Sequence, residues 1–235
     1  MVYKRTRGSS PNADSSTSTS PTRTGPHDEA IVIPSGVGRC SMAEEGSYFT
    51  CCNATTATEI AGHVAPAIAD EPTKPLLYLY NGGNKYITID FVTLRVETVN
   101  TSASDIYFSV HTTQGEVSRD SGGTAITPVN ARSDNPFSSG ATVYFGAVVT
   151  TPSAFKLHSR TLIRQTINVT EDRYYFGFGH NLVSGPAYVA TISDIYRNLP
   201  PLCIAPGGEM LFNSVNPSGA SAASDYEFML GYWER

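Results

Sequence analysis

Few residues in this chain are of types and spacings that could do chemistry. The densest candidate is Arg119-Asp120-Ser121-Gly122-Gly123, a serine set between an acid and two glycines. A serine nucleophile needs a base within hydrogen-bond reach and backbone N–H donors aimed at the oxyanion. The histidines that would supply the base, His27, His63, His111, His158 and His180, are scattered along the chain. None pairs at the i, i+2 or i, i+4 spacing that turns two imidazoles toward one metal ion. Cys40, Cys51, Cys52 and Cys203 contain no C-x-x-C pair, and adjacent cysteines rarely hold one zinc together. They read as buried free thiols packing as small apolar side chains, with a disulfide from Cys203 to the early segment left open.

Two partial motifs fail on their context. The Ser121 stretch resembles the Gly-Asp-Ser-Gly-Gly nucleophile motif of chymotrypsin-like serine proteases, but Arg119 replaces the glycine that contributes to the oxyanion hole. The Ala-Ala-His-Cys motif of that family is missing, and Ser121 sits near mid-chain, so it is read as part of a polar turn. Gly177-Phe-Gly-His-Asn-Leu182 starts like a nucleotide loop but lacks the third glycine and the helix that must follow. No catalytic residue, cofactor or metal is therefore expected. Gly177 and Gly179 instead leave one strand face bare while Tyr174, Phe176 and Phe178 fill the other. That pattern suits either close approach by another layer or a simple corner.

The elements that would position any site are strands. Of 235 residues, 40% are hydrophobic and only 16% charged, against about 25% charged in an ordinary soluble domain. Residues 1–30 form an extended arm rich in Ser, Thr and Pro, unable to bury enough surface to offset its ordering entropy. Within residues 1–26, Lys4, Arg5, Arg7 and Arg23 against Asp14 give +3, which leaves −8 for the rest of a chain of net charge −5. No apolar leader follows Met1-Val-Tyr-Lys-Arg5, so the sequons at Asn53, Asn100 and Asn168 read as chance. Residues 31–75 read as an irregular connection with short strand or helix pieces, among them Ile31–Ile33.

Residues 76–235 read as strand throughout. Leu76–Tyr80 runs into the turn Asn81-Gly-Gly-Asn84. Ile87, Ile89 and Phe91 share one parity and Val92, Leu94 and Val96 the other, which requires a bulge near Phe91–Val92. Further runs fall at Ile106–Val110, Thr142–Val149, Phe155–Ile163, Tyr174–Phe178, Tyr188–Ile192 and Met210–Phe212. A last strand alternates Tyr226, Phe228, Leu230 and Tyr232. Eight or nine short strands with a long loop between Thr112 and Ser139 predict an all-β fold, a jelly-roll (Greek-key) β-sandwich with an N-terminal arm. Tyr78, Tyr80, Tyr86, Tyr107, Tyr144 and Tyr175 fall on these strands. Tyrosines there can stack sugars or fill a protein interface, and the sparse charge favours the interface.

Several stretches of the body resemble a recurrent pattern in virion proteins of tailed bacteriophages. They are Gly46-Ser-Tyr-Phe-Thr-Cys-Cys-Asn-Ala-Thr-Thr-Ala-Thr58, Leu76-Leu-Tyr-Leu-Tyr-Asn81, Ser121-Gly-Gly-Thr-Ala-Ile-Thr-Pro-Val-Asn130 and Ala141-Thr-Val-Tyr-Phe-Gly-Ala147. Nearer the end, Pro200-Pro-Leu-Cys-Ile-Ala-Pro-Gly-Gly-Glu-Met-Leu211 and Tyr226-Glu-Phe-Met-Leu-Gly-Tyr-Trp-Glu-Arg235 complete the match. The resemblance implies a non-enzymatic jelly-roll virion component, a capsid decoration (cement) protein on the virion surface. Its partners would be the major capsid protein or other virion proteins and further copies of itself, a trimer being favoured. The arm adds Lys4, Arg5, Arg7 and Arg23 as cations to pair with acidic shell residues. Two alternatives stand beside this. One is a glycan- or receptor-binding module of a tail or fibre. The other is a small coat protein holding genome with its arm, for which four cations are few. Neither nucleic acid nor membrane is expected as a partner.

Overall fold

Sixteen strands form among the described residues, and period-two alternation of apolar side chains builds several of the longer ones. The computed structural model describes residues 43, 45–53, 59–64, 73–98, 104–113, 122–146, 155–165, 171–179, 187–189, 192–216 and 224–235. The chain divides into two compact units, Met1–Ser41 and Met42–Arg235, and every described residue belongs to the second. The arm 1–30 and the strand expected at Ile31–Ile33 lie outside the described residues.

The strands are β1 (Tyr48–Cys52), β2 (Ile60–Ala61), β3 (His63–Val64), β4 (Leu77–Asn81), β5 (Ile87–Thr98), β6 (Ser104–Thr113), β7 (Thr124–Ile126) and β8 (Val129–Asn130). There follow β9 (Ala141–Phe145), β10 (Phe155–Gln165), β11 (Arg173–Phe178), β12 (Ala187–Val189), β13 (Ile192–Leu199), β14 (Cys203–Ile204), β15 (Glu209–Asn216) and β16 (Asp225–Glu234). They form two sheets, as an all-β sandwich requires. The nine-stranded sheet runs β12-β13-β11-β5-β16-β1-β8, with β14 on β5 and β2 on β16. The seven-stranded sheet runs β10-β6-β15-β4-β9-β7, with β3 on β15.

Eight of these strands carry the sandwich. β1-β16-β5-β11 stand side by side in one sheet and β4-β15-β6-β10 in the other, every neighbouring pair antiparallel. Between the sheets, Phe108 of one meets Tyr174 and Phe176 of the other at ring-centroid distances of 5.3 and 5.0 Å, and Phe176 meets Phe212 at 5.1 Å. These rings are buried, with Leu77, Leu79, Val92, Leu94, Met210, Phe228 and Leu230 around them. Each fully buried side chain of this kind stabilises the fold by about 1.5–3 kcal/mol.

The structure corrects three details of the sequence reading. β1, β2 and β3 fall inside 31–75, so the paired body begins at Tyr48, ahead of Leu76. The run expected at Tyr188–Ile192 is two strands, β12 and β13, paired with Val189 opposite Ile192, and β13 lies parallel to β11. The bulge in β5 is at Asp90, since Gly231 pairs with Phe91 but Tyr232 with Ile89. One extra residue there returns Ile87 and Ile89, and then Val92, Leu94 and Val96, to the core side. It also turns Phe91 outward, away from the face its spacing to Ile89 suggested.

The bulge is held by its neighbours. Asp90 is buried, and the Tyr48 hydroxyl donates to its Oδ2 at 2.7 Å. Opposite the bulge, a Cβ on Gly231 would lie 2.5 Å from Tyr48 Oη and would strike the Phe91 ring. The last strand is tied down by the β-ladder and by Arg235, which exchanges backbone hydrogen bonds with Tyr86 at 2.8 and 3.0 Å.

Candidate interaction surface

Register across the nine-stranded sheet brings together side chains far apart in sequence. On the face away from the core, Cys52 stands opposite Met229, Met229 opposite Thr93, Thr93 opposite Tyr175, and Tyr175 opposite Tyr196. This row crosses β1, β16, β5, β11 and β13. Its middle member, Thr93, is short, so Met229 and the two tyrosines stand as walls around it. The result is a groove of about 430 Å³. Phe91 stacks on Tyr175 with centroids 5.6 Å apart and planes at 19°, and Tyr175 meets Tyr196 at 5.6 Å and 47°. The rings thus brace one another in positions that an incoming apolar group can meet.

The next row closes one end of the groove with charge. Arg95 stands opposite both Glu227 and Arg173. Its guanidinium bonds Glu227 at 2.9 Å and Glu171 at 3.4 Å, and it also pairs with Glu97. Partial burial works against its charge, but Glu227, Glu97 and Glu171 outweigh that and raise its pKa above the usual value. Three carboxylates face this one guanidinium, each through a single oxygen, so this end of the groove is net negative.

A second feature stands at the β8 edge of the same sheet. Residues 131–140 connect β8 to β9 and are clamped at both ends. Asn130 donates to the Gly46 carbonyl at 2.8 Å and to that of Phe137 at 3.3 Å, and accepts from the Arg132 amide at 2.9 Å. Asn135 accepts from the Phe137 amide at 3.0 Å and donates to Gly46 at 3.2 Å. Gly46 is required there, with φ +74° and no room for a Cβ against the Asn135 side chain. At the far end the buried Glu234 carboxylate accepts from the Ser139 hydroxyl and, at 3.0 Å, from the Gly140 amide, while Ser139 also bonds Tyr232 at 2.6 Å. On this braced loop Phe137 is 71% exposed, and Val129 at its base is 65% exposed. The loop's two charges cancel: Arg132 Nε and Nη2 reach the two oxygens of Asp134 at 2.7 and 3.2 Å. The Arg132 hydrogen bond holds the Asp134 carboxyl below its usual range.

The residues singled out from sequence fall elsewhere. Lys4, Arg5, Arg7, Arg23, Ser121, His27, His180 and Cys40 lie outside the described residues. Cys51, Cys52 and Cys203 are free, but only Cys51 is buried, which corrects the expectation for the other two. Burial pushes the Cys51 thiol up to about 12, with a smaller contribution from Cys52. His111 is buried and its Nδ1 accepts from Asn213 at 3.2 Å, while His158 lies 3.4 Å from the Pro200 carbonyl. Among the described residues no three His, Cys, Asp or Glu side chains converge as metal ligands.

Of the tyrosines, Tyr78 and Tyr144 are buried and stack at 5.4 Å in a cluster with Phe155 and Leu211. Tyr78 also donates to the buried Glu209 carboxylate. These two rings are structural, whereas Tyr175 reaches the groove. Gly177 is buried in the ladder between Phe91 and Asn198, and Gly179 follows β11 at φ +70° against Pro201, so the corner is made by Gly179 alone. Tyr196, Met229, Arg95 and Phe137 were not singled out from sequence. Phe137 alone had a local signal, an aromatic ring in a loop otherwise rich in Ser, Asn, Asp and Gly. No family model, no curated protein and no solved structure matches this chain.

Proposed function

We propose that the chain is a non-enzymatic virion structural protein, a capsid decoration (cement) protein that binds across shell subunits through its body and arm. One observation carries the reading: the outer face of the nine-stranded sheet presents an aromatic groove and, at its edge, a braced loop that holds Phe137 out in solvent. Such a surface suits protein contact, where aromatic and Met side chains are enriched and free charge is depleted. The strand order supports a jelly roll, since numbering the eight strands that carry the sandwich (β1, β4, β5, β6, β10, β11, β15 and β16) one to eight gives 1-8-3-6 facing 2-7-4-5, two interlocked Greek keys. The arm's cations, Lys4, Arg5, Arg7 and Arg23, would meet acidic shell residues and order on binding.

Co-sedimentation of the full chain with purified tailed-phage capsids tests this, read together with limited proteolysis. The expected result is saturable pelleting with the arm protected on the particle. A chain that stays in the supernatant, or an arm cut equally fast free and bound, overturns it. A glycan-binding module is the second reading, favoured by Tyr175 and Tyr196 beside Glu227. It is weakened by the engagement of Glu227 and Glu97 with Arg95, and a glycan array without a hit removes it.

A further inference from the structure

We infer that the groove on the outer face of the nine-stranded sheet receives an arginine side chain of the shell subunit. This rests on the reading of the chain as a capsid decoration protein and names the chemistry of one of its contacts.

The walls suit the stem and the plane of that side chain. Met229 is 42% exposed and stands across Thr93 from Tyr175, so a chain of methylenes can lie between thioether and ring. Phe91 and Tyr196 pack against Tyr175 from either side, each at 5.6 Å, which fixes the rings before anything binds. A guanidinium is planar and weakly hydrated, so it stacks on such rings more readily than a strongly hydrated ammonium does. A volume of about 430 Å³ admits the side chain with its peptide group.

Charge selects a cation. At the negative end Glu97 meets Arg95 through Oε1, and Glu171 and Glu227 meet it through Oε2. That leaves Glu97 Oε2, Glu171 Oε1 and Glu227 Oε1 for a second donor, on side chains that are 19%, 40% and 17% exposed. Glu171 is set in place by its backbone. Among the described residues it is the one non-glycine with a positive φ, +76°, a conformation that persists only where neighbours impose it. Its N–H donates to the Val96 carbonyl at 2.9 Å, and the Val96 N–H donates to the Asp172 carbonyl at 2.9 Å. Arg173 also lines the groove, so two cations there stand against three carboxylates. One arriving guanidinium balances the charge, and its fork of N–H donors matches carboxylate oxygens. The chain beyond residue 26 carries −8, which attracts a partner of the same positive sign.

The test titrates the full chain with the blocked tripeptide Gly-Arg-Gly and follows backbone amide and methionine methyl NMR signals. Saturable shifts at Thr93, Arg95, Tyr175 and Met229 are expected at millimolar peptide. Citrulline in place of arginine keeps the shape and removes the charge, and that peptide should bind about tenfold more weakly. This contrast is read on the wild-type chain, so it does not depend on a variant folding. Glu227→Gln should weaken binding of the arginine peptide about threefold or more and should also reduce pelleting with capsids. No shift in the groove, equal affinity for the citrulline peptide, or unchanged affinity in Glu227→Gln overturns the inference. Capsid co-sedimentation separates this contact from the reading beneath it. A chain that takes the arginine peptide but never pellets defeats the virion reading. A chain that pellets without taking the peptide, or pelleting that Glu227→Gln leaves unchanged, defeats the groove contact alone.

Discussion

Gly231→Ala should be among the most damaging single-methyl additions in this fold, and its cost can be worked from the bulge. The new Cβ would lie 2.5 Å from Tyr48 Oη and collide with the Phe91 ring, so one or both must move. Moving Tyr48 breaks its 2.7 Å hydrogen bond to the buried Asp90. A hydrogen bond to a charged group is worth about 1.5–3 kcal/mol. Moving Phe91 breaks its stacking on Tyr175, worth about 0.5–1.5 kcal/mol. The expected loss is therefore about 2–4 kcal/mol, a fall in Tm of roughly 5–15 °C at this chain length. Chemical denaturation of Gly231→Ala, Tyr48→Phe and the double variant measures it. Without the hydroxyl the methyl has more room, so the double variant should be more stable than additivity predicts by about 1 kcal/mol or more. A Tm within a degree of wild type, or strictly additive costs, would refute the packing argument.

Other consequences are simpler to read. Glu234→Ala removes the acceptor of the Ser139 hydroxyl and the Gly140 amide. It should cost about 1–3 kcal/mol and speed hydrogen exchange at Gly140, and unchanged exchange would contradict the clamp. Iodoacetamide at pH 8 should label Cys52 and Cys203 in the folded chain and Cys51 only after unfolding, as counted by mass spectrometry. In alkali, burial raises Cys51 from 9.0 to about 12 and Tyr226 from 10.0 to about 12. Folding thus favours their protonated forms, so the stabilisation is complete below pH 9 and is lost as pH rises toward 12. Denaturant midpoints that stay level from pH 8 to 11.5 would contradict that sign.

Much of the sandwich was legible because alternation is a local signal. β5, β6 and β16 each show it over several pairs, and the parity switch in β5 announced a bulge to within one or two residues. β2 and β3 are two residues each and have no period to read, and β1 interrupts its apolar pattern with Thr50 and Cys52. The parallel partnership of β11 and β13 depends on tertiary register, which no window of sequence contains. The same applies to the groove. Tyr175 could be picked out as a strand tyrosine, but its alignment with Tyr196, Thr93 and Met229 exists only once four strands are paired around a bulge at Asp90. Phe137 carries no periodicity, and its meaning comes from the asparagines that hold its loop.

The central claim is that this surface serves a virion shell. Imaging of purified particles from cells producing the chain, with its copy number measured by mass spectrometry, tests that most directly. The account predicts density for the sandwich on the outer capsid surface, bridging shell subunits at a fixed number of copies per particle. Particles that lack the chain, or that carry it only at the tips of tail fibres, would contradict it.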